Sequence, residues 1–517
     1  MLLRYLKSLI CNSVAELRMS KKKTYISLFS SAGVGCYGFK MNDFDCIATN
    51  ELLDVRLNVQ KANHKCKYES GYIGGDITSK EIHAKLFDEI EMWKGKEGLE
   101  QVDVVFATPP CQGMSTANYK KTEDEQVRNS LVVQAIKLIS QIQPKIFIFE
   151  NVRAFMKTIC TDTDGTNKPI SESIFCNLAD RYNIFYRVIN FKDYGVPSSR
   201  PRTIVIGTSK ECPNLSPLSL FPSRHREIKL REAIGDLASL GYCQKDVSDY
   251  LHFARPFPKE QLSWIINIKE GQSAFDQPVE LQPGHIDEHG NKVVNKGAYM
   301  GNKYRRLVWD KVCSCIHTRN DVLSSQDTIH PVDNRVLSIR ELMRVMTIPS
   351  SFHWTDYDDS VTMENADEYL KANELNIRRC IGEAVPTQIM RNVASKIKLA
   401  LEMGDKNQED FFINVKELEV KGESVRIKAK DANTLLDYLP QIVGLLSDKT
   451  KLEIHCIDFL TTEIESIREK AIMWDLADYV KIVDASSKQQ SQNNYQLLLA
   501  DGKLSTYNAI QQLSFFD

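Results

Sequence analysis

Short apolar runs, separated by amphipathic or polar segments, make up most of the chain. Five such runs, rich in β-branched and aromatic side chains, cover residues 24–29, 45–51, 102–107, 147–152 and 203–207. A continuous apolar run of about four to eight residues is typical of a strand buried on both faces. Helical spacing of apolar residues marks 128–142 and 386–403. Strands that alternate with helices in this way predict an α/β fold with a largely parallel sheet.

Two stretches depart from this alternation. Residues 208–330 are punctuated by proline and glycine and contain one periodic segment, 230–237, so we expect an insert with little regular structure. After a polar boundary at 404–410, residues 411–500 resume the pattern with two strands, a helix, a strand, a capped helix and two further strands. This order predicts a second, small α/β domain, in which we recognise no catalytic motif.

A cysteine follows the apolar run at 102–107. Pro109 and Pro110 end that strand and stiffen the turn after it. Cys111 therefore stands at the carboxyl end of a strand, where open α/β sheets place their sites. Because a lone cysteine is more often a small buried hydrophobe, its interpretation depends on the motifs that accompany it.

Four further motifs accompany Cys111. They are the glycine-bearing turn with Gly33, Gly35 and Gly38, the pair Glu150 and Asn151 at a strand end, Arg200 and Arg202 before the next strand, and the late segment Ile381–Pro386. In this order and at these spacings, the five motifs resemble those of the cytosine-5 DNA methyltransferases. The resemblance covers about residues 24–402.

The resemblance implies an α/β, Rossmann-like S-adenosylmethionine-dependent methyltransferase fold with an inserted target-recognition domain, followed here by the extra small α/β C-terminal domain. The expected division is an N-terminal extension at 1–23, a catalytic domain in two parts at 24–243 and 304–404, a target-recognition region at 244–303, the small domain at 411–500 and a tail at 501–517. The helix at 386–403 would return to pack beside the first strand.

S-adenosylmethionine is the cofactor that the resemblance implies. Glu51 would hold the ribose hydroxyls, and Asp76 the adenine amino group. The rest of the implied cofactor-binding set is Phe29, Ser31, Gly33, Gly35, Ile77, Pro110, Leu131, Glu383 and Ala384. The family has asparagine where Glu383 stands, so we expect an extra negative charge near the cofactor pocket. The residues alone also fit a solvated Glu51 at a helix N-terminus.

The implied chemistry centres on Cys111. A thiolate that adds to C6 of cytosine turns the ring into an enamine, whose C5 can attack a sulfonium methyl group. Glu150, with a pKa raised by burial, would interact with N3. Arg202 would contact O2 while Arg200 supports the site, and strand alternation predicts that both point to one face. The C5 proton then leaves and the thiolate is eliminated, so no metal is needed.

The implied substrate is a cytosine flipped out of a specific double-stranded DNA sequence. Asn151 would order the loop around Cys111, and the polar segment 113–127 would close over the flipped base. The expected DNA-contacting residues are Ser115 in that loop and, in the insert, Lys292, Lys296, Lys303, Arg305 and Arg306, with Tyr299 and Tyr304 among them. Basic side chains of this kind bind phosphates, but a solvated polar face explains any single one equally well.

The composition limits these assignments. The net charge is −2, so any DNA-binding field must be local. The thirteen cysteines show no paired zinc spacing, and an odd count argues against a disulfide framework, which favours a reduced, cytoplasmic enzyme. No segment suits a membrane span. Residues 1–18 lack a signal-peptide cleavage site and are an upstream extension or a loose helix.

The favoured hypothesis is a DNA (cytosine-5)-methyltransferase of a restriction–modification system, or a solitary or phage-borne counterpart. A cognate restriction endonuclease would act separately. The tRNA-methylating branch of the family carries a Cys-Phe-Thr segment before its late motifs, and this chain has none. A DNA-binding homologue without catalysis would be expected to lose at least one of Cys111, Glu150, Arg200 and Arg202.

The end of the chain resembles a docking peptide. Gln512-Leu513-Ser514-Phe515-Phe516 is similar to the short segment by which bacterial replication and repair proteins bind the sliding clamp. A leucine and two aromatic rings would fill an apolar pocket, and the glutamine would fix the orientation. The alternative is that these side chains pack against the domain at 411–500.

Overall fold

The computed structural model describes residues 22–110, 131–212, 215–294 and 300–404, and, further along the chain, Glu465, Arg468 and five strands between 415 and 499. Several residues of interest lie outside the described residues, namely Cys111, Ser115, the segment 113–127, Lys296, Tyr299 and the tail with Gln512 to Phe516.

A seven-stranded sheet lies at the centre of the described residues up to 404. The strands in its part of the chain are β1 Thr24–Leu28, β2 Asp45–Glu51, β3 Tyr72–Gly74, β4 Val104–Ala107, β5 Ile146–Val152, β6 Ile159–Thr161, β7 Asn167–Pro169, β8 Tyr182–Asn190 and β9 Pro201–Ser209. β6 and β7 form a separate hairpin, and the others join in the order β3-β2-β1-β4-β5-β9-β8. The prediction of an α/β fold is confirmed.

The direction of the strands determines where a ligand can bind. β1 to β5 are parallel to one another, while β9 and β8 are antiparallel to their neighbours. After β1, the chain adds β2 and β3 on one side of that strand and then crosses to form β4 on its other side. The strand order therefore reverses between β1 and β4. A crevice opens outside the carboxyl ends of two strands at such a point. The turn after β1 and the segment that leads to Cys111 both begin there.

Strand alternation builds a core on each face of the sheet. Ile26 and Leu28 of β1 belong to one apolar cluster, and Tyr25 belongs to the other. Successive side chains of a strand point to opposite faces, so a run that is apolar throughout needs cover on both sides. This explains why the sequences of the central strands are continuously apolar and do not alternate between apolar and polar residues.

Helices provide that cover. They are α1 Tyr37–Lys40, α2 Asp54–Ala62, α3 Lys80–Glu97, α4 Leu131–Ile142, α5 Ile170–Leu178, α6 Leu230–Ile234, α7 Leu262–Ile265, α8 Ile339–Val345, α9 Ala366–Glu383 and α10 Thr387–Gly404. α3, α4 and α5 pack on the face of Ile26, and α1 and α10 on the face of Tyr25. Local signals set the ends of α3, where Ser79 caps the first turn and Gly98 adopts a left-handed conformation at φ 61°.

The late helix α10 packs beside the first strand, as predicted. Its apolar residues, among them Ile389 and Val393, share a cluster with Tyr25. The contact with α1 is close, because a Cβ atom at Gly38 would lie 2.3 Å from the backbone nitrogen of Arg391. Glycine at this position therefore permits the closure of the fold by a distant part of the chain.

A buried ion-pair network precedes α8. The Arg335 guanidinium donates to Asp333 at 2.8 Å and to Glu341 at 2.7 and 2.8 Å, and all three side chains are buried. Ser338 and Glu341 also form a capping box, with the Ser338 hydroxyl accepting from the Glu341 backbone at 3.1 Å. The cap places the start of the helix at Ile339, later than the periodicity from 335 suggests, and supports a structural role for this segment.

The insert has little regular structure, as predicted. Its described residues include short helices and one hairpin, formed by β10 Gly284–Ile286 and β11 Lys292–Val294. A small core holds it together and consists of Ile265, Ile268, Ala274, Tyr304, Leu323, Ile329 and Val336. This core draws on residues well beyond 303.

A second sheet follows residue 404. Its strands are β12 Val415–Lys421, β13 Ser424–Ala429, β14 Leu452–Cys456, β15 Val480–Asp484 and β16 Tyr495–Leu499, in the order β12-β13-β16-β14-β15. Five strands were expected in this region at nearly the same positions. Among the described helices of the chain, none has the length and apolar character that a membrane crossing requires.

Candidate active site

The turn after β1 is strained. Phe29 and Ser31 have φ values of 55° and 45°, and Gly33 follows at 75°. A positive φ is energetically unfavourable for residues other than glycine, so surrounding contacts must stabilise these conformations. Thr108 donates its hydroxyl hydrogen to the Phe29 carbonyl at 2.8 Å, and the Gln60 amide donates to the Ser31 carbonyl at 2.6 Å. The turn is thus fixed from both sides at the reversal point of the sheet.

Glu51 is held by backbone groups at the end of β2. One carboxylate oxygen accepts from the Ser31 N–H at 2.7 Å and the other from the Leu53 N–H at 3.1 Å. Because each oxygen has a second lone pair, the carboxylate is oriented and can still accept from a ligand. Glu51 is therefore a buried, positioned group, and not the solvated charge of the alternative interpretation.

Asp76 and Ile77 lie at the same edge of the sheet. β3 pairs with β2 so that Gly74 stands opposite Glu51, and Asp76 follows two residues later. Asp76 is exposed and accepts from the Thr78 N–H at 2.9 Å, while Ile77 is buried in the core. The structure therefore brings the two predicted cofactor carboxylates to neighbouring strand ends.

Glu383 carries a charge that the structure compensates. Its carboxylate accepts from Arg56 at 2.9 and 3.2 Å and from the Ser31 hydroxyl at 2.9 Å. The neighbouring Ala384 is buried, and a Cβ atom at Gly35 would lie 3.0 Å from the Cβ of Val385. Gly35 therefore permits close packing of the turn against the late segment. Pro110 and Leu131, also expected near the cofactor, are half-buried.

Asn151 ties the end of β5 to the end of β4. Its side-chain amide donates to the Pro109 carbonyl at 2.8 Å, and its side-chain oxygen accepts from the Val152 N–H. The residue is buried. Since Cys111 is two residues beyond Pro109, this bond anchors the chain immediately before the cysteine.

Glu150 is buried beside an arginine. It is 7% exposed, and its carboxylate lies 3.4 Å from Nε of Arg202. Burial raises the pKa of Glu150, and the opposing effects of Arg202 and Arg200 do not cancel it. The group therefore holds a proton at higher pH than an ordinary glutamate does.

The two arginines have different surroundings. Arg202 lies in β9 opposite Val152, and Arg200 precedes the strand. The buried Arg200 donates to the Ile316 carbonyl at 3.0 Å and to the Gly382 carbonyl at 3.1 Å. Its Nε has no hydrogen-bond partner in the structure as described. Arg200 thus joins β9 to two late segments of the chain, while Arg202 faces Glu150.

One comparison with known proteins decides the family. The model of C-5 cytosine-specific DNA methylases matches residues 23–399. The chain belongs to this family. It is accordingly a DNA (cytosine-5)-methyltransferase with S-adenosylmethionine as methyl donor, and the resemblance found in the sequence is confirmed. The second sheet, β12 to β16, lies beyond the matched residues.

Two similar methylases illustrate the relationship. Type II methyltransferase M1.HgaI of Avibacterium volantium is 29% identical over 394 residues, which cover 73% of this chain and 99% of that protein. Type II methyltransferase M.XorII of Xanthomonas oryzae pv. oryzae is 25% identical over 397 residues, which cover 73% of this chain and 84% of that protein.

The cofactor of the methylase family suits the residues present at the reversal point. The strained turn brings Ser31 against Glu51, and Glu51 has unused lone pairs directed by two N–H groups. These features match a ligand with a ribose and a charged chain.

The basic residues expected to contact DNA differ in accessibility. Lys292, on β11, and Lys303 are half-buried. The Arg305 side chain is 43% exposed, and its Nε donates to the Gly271 carbonyl at 2.8 Å. These three can present charge at the surface of the methylase insert.

The structure contradicts the predicted DNA contact of Arg306, because this side chain is buried and cannot contact phosphate. It is 3% exposed and donates to the carbonyl oxygens of Ile265, Ile268, His330, Val332 and Asp333 at 2.8 to 3.1 Å. Burial lowers its pKa to about 10. Its donors are used to hold the insert against the segment before α8. Tyr304 is also buried, packed against Trp264 and Phe275.

Two residues near the site carry no sequence signal that we recognised. Arg56, in α2, pairs with Glu383, and its position shows only an ordinary helical arginine. His317 follows Ile316, which Arg200 holds. This residue is exposed at the surface, but partial desolvation together with the charges of Arg200 and Arg202 lowers the pKa of its imidazole. A histidine in an irregular segment becomes noticeable only when the chain folds and places it near those arginines.

Proposed function

We propose that this methylase modifies C5 of a cytosine turned out of a specific double-stranded DNA sequence, through a covalent bond between Cys111 and C6. The observation that supports this most strongly is the pair of buried neighbours at the end of β5. Glu150 faces Arg202, and Asn151 holds the Pro109 carbonyl two residues before Cys111. An acid, an arginine and the anchored approach to a thiol thus converge at one edge of the sheet.

The roles of these residues follow from their chemistry. The Cys111 thiolate forms a bond to C6 and pushes electron density into the ring. A protonated Glu150 donates to N3, where that density accumulates, and burial favours the protonated form of the acid. Arg202 donates to O2. Once C5 has gained the methyl group, loss of its proton restores the C5–C6 double bond and releases the thiolate, and N3 returns its proton to Glu150.

Arg200 acts in support. Three of its contacts attach it to Cys315, Ile316 and Gly382, so it holds the late segments against the carboxyl end of the sheet. Its unpartnered Nε remains available. A buried donor without a partner is costly, and a substrate oxygen would satisfy it.

The cofactor contacts are proposed for one rim of the crevice. Glu51 would take the ribose hydroxyls and Asp76 the adenine amino group. The other residues proposed here are Phe29, Ser31, Gly33, Gly35, Ile77, Pro110, Leu131, Glu383 and Ala384. When bound, S-adenosylmethionine supplies an electrophilic methyl group.

We propose that the region around residues 244–303 reads the DNA. Its hairpin exposes His285, Ile286 and Val293, and a two-stranded ribbon fits the major groove. Lys292, Lys303 and Arg305 would contact phosphates, together with Lys296 and Ser115.

The biological setting is also a proposal. M1.HgaI and M.XorII carry the designation Type II methyltransferase, which supports a modification enzyme whose partner endonuclease acts separately in the same cytoplasm. The tail Gln512 to Phe516 would tether it to a sliding clamp and thereby raise its concentration at newly copied DNA.

Bisulfite sequencing tests this function. DNA from bacterial cells that express the protein should contain 5-methylcytosine at one recurring sequence, and DNA from cells with Cys111→Ser should not. Transfer RNA from the same cells provides the comparison. Unmodified DNA together with modified transfer RNA would favour the other branch of the family.

A further inference from the structure

A continuous hydrogen-bonded chain links the first cofactor motif to the last. Glu51 accepts from the Ser31 N–H at 2.7 Å, and the Ser31 hydroxyl donates to Glu383 at 2.9 Å. Glu383 in turn accepts from Arg56. A residue of the glycine turn therefore stands between two carboxylates, one at the end of β2 and one at the end of α9.

Arg56 is built to orient Glu383. Its Nε and Nη2 donate to the two carboxylate oxygens at 3.2 and 2.9 Å, which is the paired geometry that fixes both position and plane. Its remaining nitrogen donates to the Asn376 side chain and lies 3.0 Å from the Cys380 sulfur. Contacts with α9 at Asn376, Cys380 and Glu383 thus leave the guanidinium one arrangement.

The two members of the pair differ in exposure. The Arg56 side chain is 5% exposed and that of Glu383 is 39% exposed. The arginine therefore lies beneath the carboxylate, and the carboxylate presents an open edge above the strained turn. An ion pair whose only purpose was to join α2 to α9 would not need an acid that remains open on the side of the turn.

An open carboxylate at this place has a chemical use. The bound cofactor has two cationic centres, the α-ammonium and the sulfonium, and both belong to its amino-acid end. A carboxylate that is already held in place by charged hydrogen bonds loses little conformational entropy when it binds such a cation. Asparagine, the usual family residue, has one neutral oxygen, so it can neither form the paired contact with Arg56 nor attract a cation as strongly as a carboxylate does.

We propose that Arg56 is a positioning residue that holds Glu383 against a cationic centre at the amino-acid end of S-adenosylmethionine. The family's cofactor use underlies this inference, but the test below separates the two. Arg56 does not touch the ligand. It fixes the direction of the carboxylate and prevents it from turning into solvent.

Three ligands distinguish the possible cationic centres. S-adenosylmethionine carries both cations, S-adenosylhomocysteine has the ammonium but a neutral sulfur, and methylthioadenosine has neither. Isothermal titration calorimetry on the full chain would measure the affinity of each ligand for wild type, Glu383→Gln, Arg56→Met and the double variant. Lys398→Met is the matched control, because its ion pair with Asp43 at 3.0 Å lies before the amino end of β2.

The expected result is a loss of affinity of about tenfold or more in Glu383→Gln for ligands with the relevant cation. Equal losses for S-adenosylmethionine and S-adenosylhomocysteine identify the ammonium, and a loss for S-adenosylmethionine alone identifies the sulfonium. Methylthioadenosine should bind all variants as it binds wild type. Lys398→Met should change none of the three affinities.

The role of Arg56 is tested by the double variant. If Arg56 acts through Glu383, the single variant Arg56→Met should weaken cofactor binding. The same substitution should cause little further loss of affinity when Glu383 is already replaced by Gln. Additive losses would overturn the positioning role. If Arg56→Met fails to fold, the three ligands measured on Glu383→Gln still test whether Glu383 contacts a cationic centre. That variant should fold, because it keeps an isosteric side chain at an exposed position.

Two results would overturn the inference outright. One is equal weakening of all three ligands, which would mean general damage to the pocket. The other is unchanged affinity with a lowered melting temperature, which would make the pair a structural contact between α2 and α9. Wild-type protein that binds none of the ligands would contradict the proposed cofactor site itself, a different outcome.

Discussion

Glu150 of β5 and Arg202 of β9 lie close together where the sheet changes from parallel to antiparallel pairing, with 3.4 Å between the carboxylate and Nε. The acid remains buried and has a raised pKa despite this neighbour. A paired glutamate usually has a lowered pKa, so desolvation outweighs the attraction here. This balance makes Glu150 a proton donor in the proposed reaction, and it leads to the first prediction.

Glu150→Gln should reduce the rate of methyl transfer by about a hundredfold or more, because glutamine cannot transfer a proton to N3. A buried acid with a raised pKa binds its proton more tightly in the folded state than in the unfolded state. The contribution of Glu150 to stability should therefore be fully present below the unfolded pKa and fall as pH rises through the folded one. The glutamine variant should lose this fall, as melting temperatures measured against pH would show. A Glu150→Gln variant as active as wild type would contradict the role of Glu150 as a proton donor.

Cys111→Ser should abolish methyl transfer while DNA and cofactor still bind, because a serine hydroxyl is not ionised near neutral pH and adds poorly to C6. DNA with 5-fluorocytosine at the target should trap wild-type protein covalently, since fluorine cannot leave as a proton does. A denaturing gel reports the adduct. Turnover by the serine variant would exclude the covalent mechanism.

Arg306→Ala and the pair Lys303→Ala with Arg305→Ala should behave differently. Loss of the buried Arg306 leaves several carbonyl groups unpaired and should lower the free energy of unfolding by about 3 kcal/mol or more. The double variant should keep its stability but flatten the salt dependence of DNA binding by about one logarithmic unit per lost phosphate contact. Chemical denaturation and salt titration measure the two effects. An unchanged salt slope would assign Lys303 and Arg305 to a solvated surface.

Glu51→Ala and Asp76→Ala should raise the KM for S-adenosylmethionine far more than the KM for DNA. The effect should be larger for Glu51, because its loss also releases the Ser31 and Leu53 N–H groups that shape the turn. Glu81→Ala is a suitable control, since that acid lies exposed on α3 in an ion pair with Lys85. Equal effects on both substrates would make the two carboxylates structural.

The tail should bind a bacterial sliding clamp as an isolated peptide. Residues 505–517 include the leucine and the two aromatic side chains that such a pocket accepts. Fluorescence anisotropy with a labelled peptide would measure the affinity, and changing Leu513 and Phe516 to Ala should remove it. A peptide that shows no affinity for the clamp would favour packing of the tail against the rest of the chain.

Local patterns along the chain were sufficient to predict several elements of the fold. Continuous apolar runs predicted β1, β2, β4, β5 and β9 because a strand buried on both faces can contain little else. Pro109 and Pro110 marked the end of β4 and the turn before Cys111. The order of short motifs was enough to identify the family, since each motif is contiguous in the chain.

The accessibility of charged side chains, by contrast, depends on how distant segments pack together. Arg305 and Arg306 are adjacent and look alike in the sequence, yet the first is partly exposed and the second donates to five carbonyl groups in the interior. Likewise, Glu383 looked like an uncompensated charge until the fold placed Arg56 beside it from 327 positions away. Burial and ion pairing depend on what a distant segment brings, and a single sequence without its fold does not contain that information.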